Sequence, residues 1–234
     1  MEMRLSPRLQ RIADYVEAGA VAVDVGTDHA YVPIWLLLSG VSERAYATDL
    51  RPGPLQNARE DAFRYGVADR LVLRLGDGLA PCAPEECDTV ILAGMGGETV
   101  AGILERSPWA LEKRLILQPQ TRQDVLRRWL WEKGVAVQDA SLAYDTGRIY
   151  LIWLAGRGEG EPETLVDRQL IEKRDPLLLP WLEERIKYTA KLLRGLTQAR
   201  DPDREAIAAR EREKAGLRAL ADAVCTEWEK ERTT

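Results

Sequence analysis

The run Ala22-Val23-Asp24-Val25-Gly26-Thr27-Asp28-His29-Ala30 reads as a short β-branched strand that ends beside an acid, turns at a glycine and enters a helix. A helix that starts this way presents unpaired N–H groups and the positive end of its dipole to whatever lies above the strand. Gly26 lets the backbone pass close to a ligand because no Cβ stands in the way. The run is not the dinucleotide fingerprint, since that pattern needs glycines where Asp28 and Tyr31 stand. Acids at 24 and 28 would repel a pyrophosphate. They would attract a ligand that carries an amine or a sulfonium, as S-adenosylmethionine does. Taken alone, the same run also fits an ordinary strand-to-helix turn.

Outward from this loop the chain alternates strands and helices. On the N-terminal side, Ser6-Pro7 predicts a helix start, with Leu9, Ile12, Ala13 and Val16 on one face and Arg8 and Arg11 on another. On the C-terminal side a buried helix at 34–38 ends at Ser39-Gly40. A second strand at 44–50 includes Asp49, and a helix starts at Pro54 and closes at Gly66. A third strand at 71–75 runs into Gly76-Asp77-Gly78-Leu79. A fourth at 89–92 runs into Ala93-Gly94-Met95-Gly96-Gly97, followed by a helix at 98–106. A fifth strand at 114–117 leads to Gln118-Pro119-Gln120-Thr121, and a helix at 124–133 stops at Gly134. Strands at 135–140 and 149–154, joined through Asp145-Thr146-Gly147, predict a terminal hairpin. Five strand–helix units and a hairpin predict an α/β fold with an open, mostly parallel sheet whose last strand is antiparallel.

The glycine-rich stretch 156–162 predicts a boundary, with one domain over 1–158 and a second over 159–234. Beyond it Leu182, Ile186, Thr189, Leu193 and Leu196 follow heptad spacing, and Asp201-Pro202-Asp203 interrupts the helix. A further stripe of Ile207, Leu217, Leu220, Val224 and Trp228 completes a predicted antiparallel helical arm, coiled-coil-like. The arm is nearly balanced in charge, which suits recognition by shape better than an electrostatic clamp.

The formal net charge of −5 argues against indiscriminate nucleic-acid binding but leaves room for a local basic face. Arg8, Arg11, Arg51, Arg122, Arg127 and Arg128 are candidates for such a face. No stretch approaches the length of a membrane span, and the segment 1–7 has no secretory character. Cys82, Cys87 and Cys225 lack metal-site spacing, and His29, the one histidine, is far from them. The expectation is a cytoplasmic protein with no metal site and no membrane partner.

In an open α/β sheet, ligands bind beyond the carboxyl ends of the strands where the strand order reverses. Those ends carry Asp24 to His29, Asp49, Asp77, Met95 to Gly97, and Gln118. Asp49 is placed to accept the hydroxyls of a ribose. Asp77 could accept an adenine amine, with the Gly78 N–H reaching a ring nitrogen.

With LSPRL at 5–9, DVGTDHAYVP at 24–33, GPLQNA at 53–58, GDGL at 76–79, GMGG at 94–97, DTGRIY at 145–150 and DPLL at 175–178, the chain resembles the bacterial tRNA adenine-N1 methyltransferases of the TrmK type, which modify adenine 22. The resemblance runs along nearly the whole chain. It implies a Rossmann-like class I methyltransferase fold, S-adenosyl-L-methionine as donor and tRNA as acceptor. It also implies donor-site roles for Gly26, Asp28, His29, Asp49, Asn57, Asp77 and Gly78, beside Asp24 and Met95, and sets the acceptor base against Met95-Gly96-Gly97. The chain lacks the Asn/Asp-Pro-Pro-aromatic loop of enzymes that methylate exocyclic amines. That absence suits adenine N1, whose in-plane lone pair attacks without prior loss of a proton. Asp28 and then His29 are the candidate catalytic residues, and Gln118, Arg8 and Arg11 are candidate RNA contacts. A small-molecule methyltransferase with the same donor site, and a donor-binding scaffold without catalysis, remain alternatives on sequence grounds.

Overall fold

The computed structural model describes residues 3–200 and 202–232, so Met1, Glu2, Thr233, Thr234 and the predicted helix-breaking Asp201 lie outside the described residues. Two compact units divide between Glu163 and Thr164, five residues beyond the expected boundary.

In the first unit the element order is α1 (Pro7–Ala13), β1 (Ala22–Val25), α2 (Tyr31–Leu38), β2 (Ala45–Asp49), α3 (Pro52–Arg64), β3 (Leu71–Leu75), β4 (Thr89–Gly96), α4 (Gly97–Arg106), β5 (Arg114–Thr121), α5 (Gln123–Glu132), β6 (Val135–Asp145) and β7 (Arg148–Arg157). The seven strands form one sheet in the order β3-β2-β1-β4-β5-β7-β6. β1 to β5 pair in parallel, and β7 runs antiparallel to both β5 and β6. The hairpin therefore inserts its second strand into the sheet and leaves β6 at the edge. β6 then runs in the same sense as β1, and its long C-terminal end carries the Asp145–Gly147 turn over the carboxyl edge.

Val25 pairs with Thr48 on one side and Leu92 on the other. The tips of β2, β1 and β4 consequently lie level, and the strand order reverses between β1 and β4. The central strands are buried on both faces, and Asp24, Thr48 and Asp49 on them are buried as well. Ile12, Val32, Leu36, Ile91, Ile116 and Ile152 form the core on one side. Ile34, Leu37, Ala58 and Ala62 belong to a second cluster, so α2 is apolar nearly all round because it feeds both.

Several expectations shift in detail. α2 begins at Tyr31, earlier than 34, and α3 at Pro52 instead of Pro54. β4 and β5 continue past 92 and 117, to Gly96 and Thr121. Their register slips at Gly94, a bulge that keeps the glycine-rich segment in the sheet. Ser6 occupies the N-cap position of α1 without capping it; its hydroxyl instead donates to Asp145 Oδ2 at 2.6 Å.

The second unit holds α6 (Arg168–Glu172), α7 (Leu178–Thr197) and α8 (Arg204–Arg232). α7 and α8 form the expected hairpin. Leu182 and Thr189 of the heptad stripe are buried, as are Leu217 and Val224 across from it. Arg185 stacks over Trp181 at 4.9 Å and pairs with Glu213.

Candidate functional site

The loop after β1 is built from left-handed residues. Gly26 has φ +71°, and the non-glycine residues Asp28 and Ala30 have φ +51° and +53°. Two such non-glycine residues in one short loop store backbone strain of the kind found at ligand clamps. The Gly26 and Thr27 amides are held by the Thr48 carbonyl at 2.8 and 3.2 Å. A Cβ on Gly26 would lie 2.4 Å from Met95 Cε. The β4 bulge therefore brings Met95 directly over Gly26, at the point where the strand order reverses.

Two carboxylates are sunk beside that point. Asp24 and Asp49 are each only 8 % exposed. Thr27 Oγ1 donates to Asp24 Oδ2 at 2.5 Å, and the Arg51 amide donates to Asp49 Oδ1 at 2.9 Å. Burial pushes the Asp24 carboxyl up to about 6; the Thr27 hydrogen bond and the Arg8 charge pull it down, and Asp49 pushes it up. A cation between the two acids would relieve both their desolvation and their mutual repulsion.

Asp28 is exposed at the loop crest. His29 turns away from it: its Nδ1 lies 2.8 Å from Asp61 Oδ2 on α3, and its ring stacks on Tyr31 at 5.0 Å. Asp61 is buried and also accepts Arg64 Nη1 at 2.7 Å. Sequence reasoning missed Asp61, since nothing local marks an acid 32 residues downstream as a partner of the loop.

At the β3 tip Asp77 is exposed and pairs with Arg106 at 3.1 Å, while Gly78 is buried, its carbonyl held by Thr48 Oγ1 at 2.8 Å. Asn57 is half-buried on α3. Gly97 opens α4 against the next unit of the fold: a Cβ there would meet the Arg122 carbonyl at 2.3 Å. Gly96 approaches Thr121 Oγ1.

On the β5 side Gln118 is 1 % exposed. Its Oε1 accepts the Gly94 amide at 3.1 Å and Arg8 Nη1 at 3.0 Å. Two donors on one atom fix the amide's orientation, and Nε2 is left without a partner among the described residues. Arg8 also lies over the Tyr150 ring at 5.3 Å. Arg11, expected beside it, pairs with Asp14 at 3.8 Å on the exposed side of α1. Three of the other candidate arginines are engaged as well: Arg122 with Glu98, Arg128 with Glu163, and Arg127 over Trp153; Arg51 is exposed and gives its backbone amide to Asp49.

The family profile described as "Methyltransferase domain" matches residues 5–153. A tRNA (adenine(22)-N(1))-methyltransferase of Bacillus subtilis is 31 % identical over 232 residues, covering 94 % of each chain. The crystal structure of the B. subtilis m1A22 tRNA methyltransferase TrmK superposes with a TM-score of 0.74 at 27 % identity, covering 96 % of this chain and 99 % of that one. A Streptococcus pneumoniae protein crystallised with S-adenosyl-L-methionine gives a TM-score of 0.81 at 29 % identity, covering 93 % of this chain and all of the other. No helix among the described residues is long and apolar enough to cross a membrane.

Proposed function

The chain belongs to the family of methyltransferases that modify N1 of adenine 22 in tRNA, and we propose how its strand tips divide that reaction between donor and acceptor. It is an S-adenosyl-L-methionine-dependent tRNA (adenine-N1)-methyltransferase. The observation that carries the division is the pair of buried carboxylates, Asp24 and Asp49, beside the point of strand reversal. Buried acids that form no ion pair among the described residues suit a donor that is itself cationic.

Asp24 would hold the donor's cationic end, its ammonium and sulfonium charge. Asp49 leaves Oδ2 for the ribose hydroxyls while Arg51 holds Oδ1. Gly26 gives the donor its close backbone approach. Met95 covers that approach, and Asn57 borders the ribose side. Asp77 would accept the adenine amine of the donor, and the Gly78 amide would meet a ring nitrogen. Bound donor supplies an electrophilic methyl group on sulfur.

The acceptor base lies over Gly96 and Gly97, where no side chain crowds it. The N1 lone pair forms the new N–CH3 bond as the S–CH3 bond breaks, and sulfur keeps the bonding pair. No proton moves before attack, so alignment and exclusion of water do most of the work. The base gains a positive charge, which the Asp28 carboxylate at the loop crest stabilises. His29, the other candidate for the chemical step, has its Nδ1 engaged by Asp61, so its role is to hold the loop against α3. Gln118 holds Arg8 at the acceptor side. N1 is buried in paired or folded RNA, so the base is splayed into the site. The reaction takes place in the cytoplasm, with tRNA, and as balanced it calls for no metal ion.

Incubating the protein with unmodified tRNA and labelled donor, then analysing nucleosides by mass spectrometry, tests the reading. Label in 1-methyladenosine is the expected product. Label in another nucleoside, or none in RNA, overturns it.

A further inference from the structure

A cleft of about 500 Å³ opens beside the donor loop, and no step of the reaction above uses it. Ser6, Arg8, Tyr31, Tyr65, Asp145 and Tyr150 contribute to its lining. Its far wall is the β6–β7 turn, which overhangs the carboxyl edge because β6 runs to Asp145. Ser6 ties the start of α1 to that turn, so the wall is pinned across 139 residues of sequence. Its near wall is Tyr31, the first residue of α2, which directly follows the donor loop. The volume lies within the range of small-ligand pockets.

The lining chemistry differs from that of the donor site. Three tyrosines and two arginines, Arg4 and Arg8, stand where the donor side has buried acids. Arg8 presents a guanidinium plane already stacked on Tyr150 and anchored to Gln118. Tyr31 is 39 % exposed and continues the His29 stack, leaving a ring ladder that a third ring would extend. Splayed bases are held in this way, on aromatic faces and guanidinium planes. Asp145 is the acid of the cleft, and its Oδ2 accepts the Ser6 hydroxyl. A phosphate therefore belongs on the Arg8 side and the base on the tyrosine side.

Extruding an adenine from RNA removes a stacking partner from each of its neighbours. An aromatic cleft adjoining the acceptor position would replace one of those lost stacks. We propose that the cleft seats the base of the nucleotide next to the acceptor adenine, stacked on Tyr31 with its phosphate towards Arg8. This rests on the tRNA-methyltransferase reading above and assigns that enzyme a second nucleotide subsite.

The test is a double-substitution cycle on kcat/KM for tRNA. Wild-type protein and Tyr31→Ala are each assayed on intact tRNA and on tRNA made abasic at one or the other nucleotide flanking the acceptor. Removing the correct flanking base, or removing the ring, should each cost roughly 5- to 150-fold, the range for one base–aromatic stack. Applied together they should cost no more than one alone, because both delete the same contact. Tyr31→Phe should retain wild-type behaviour on every substrate. Donor affinity, read by calorimetry, should hold within about twofold for Tyr31→Ala, as for an interaction confined to RNA. Losses that multiply at both flanking positions, or Tyr31→Ala at wild-type rate on intact tRNA, overturn the cleft assignment while leaving the enzyme's reaction standing. If Tyr31→Ala does not fold, Tyr31→Leu is carried through the same cycle under the same criteria. A wild-type protein that places no methyl group on intact tRNA overturns both readings together.

Discussion

The two halves of the sheet's carboxyl edge differ in chemistry. On the β2–β1–β4 half, the tips carry buried Asp24 and Asp49 beside a strained glycine loop. On the β5–β7–β6 half, the tips carry Gln118, Arg8 stacked on Tyr150, and a hairpin turn that overhangs the edge. Under the proposed division, one half suits a small cation held in place by desolvated acids, and the other suits a polyanion met by guanidinium and aromatic faces. A cationic donor and an anionic RNA can then approach one reaction point from sides of opposite sign. Arg8 touches both, since its charge also pulls down the Asp24 carboxyl.

The largest expected effect lies at the junction of the halves. Asp28 has φ +51°, a conformation asparagine adopts as readily as aspartate, so Asp28→Asn deletes charge without disturbing the loop. Turnover should fall roughly 10- to 1000-fold, the range for losing one preorganised electrostatic stabiliser, while tRNA affinity holds. Single-turnover methyl transfer measures this directly. Full turnover in Asp28→Asn, or complete loss in His29→Ala alone, would move the chemistry from the aspartate to the histidine.

The next effect isolates the donor half. Asp24 has a folded-state pKa of about 6 against a usual value of 3.8, chiefly through burial. The folded protein therefore binds more protons at this site than the unfolded chain between those values. Its contribution to stability is complete below about pH 4 and is lost as pH rises through about 6. Asp24→Asn should thus match wild type near pH 4 and exceed it by roughly 2–3 kcal/mol at pH 8, with no ligand present. Thermal denaturation across that range measures the difference. Donor affinity should run the other way, strengthening in wild type from pH 5 to 7 as the carboxylate ionises and staying flat in the variant. A pH-independent stability gap would mean that Asp24 is already neutralised by a protein partner.

The strand tips of the β2–β1–β4 half were largely legible in the sequence, and the contacts of the β5–β7–β6 half were not. Asp49 ends its strand, and Gly26 and Gly78 follow theirs within one and three residues, so alternation of strand and helix suffices to put them at one edge. The arm was legible for the same reason, because its apolar stripes are local and periodic. The acceptor half depends on contacts with no periodicity: Ser6 with Asp145, and Arg8 with Gln118 across 110 residues. His29 looked like a site residue by its position in the loop, yet its partner is set by how α3 packs. The insertion of β7 between β5 and β6 was also invisible, since a hairpin's sequence does not say which strand joins the sheet. Gly94 read as loop because a bulge and a turn call for the same residue.

The smallest expected effect separates two arginines that the sequence treated alike. Arg8 and Arg11 lie three apart on α1, yet Arg8 reaches the strand tips while Arg11 pairs with Asp14. Both members of the Arg11 pair are about half exposed and 3.8 Å apart, so solvent screening leaves that pair worth at most ~0.5 kcal/mol. Arg11→Ala should leave the melting temperature and the KM for tRNA nearly unchanged, within about twofold for the latter, as for a screened surface charge. Arg8→Met keeps the aliphatic stem but removes one donor to Gln118 Oε1 and one cation near Asp24. It should raise the KM for tRNA about tenfold, as expected for one charged hydrogen bond lost, and should move the Asp24 titration upward. If Arg11→Ala weakens tRNA as much as Arg8→Met does, the basic face is a broad electrostatic surface on α1, and the acceptor half does not end at the strand tips.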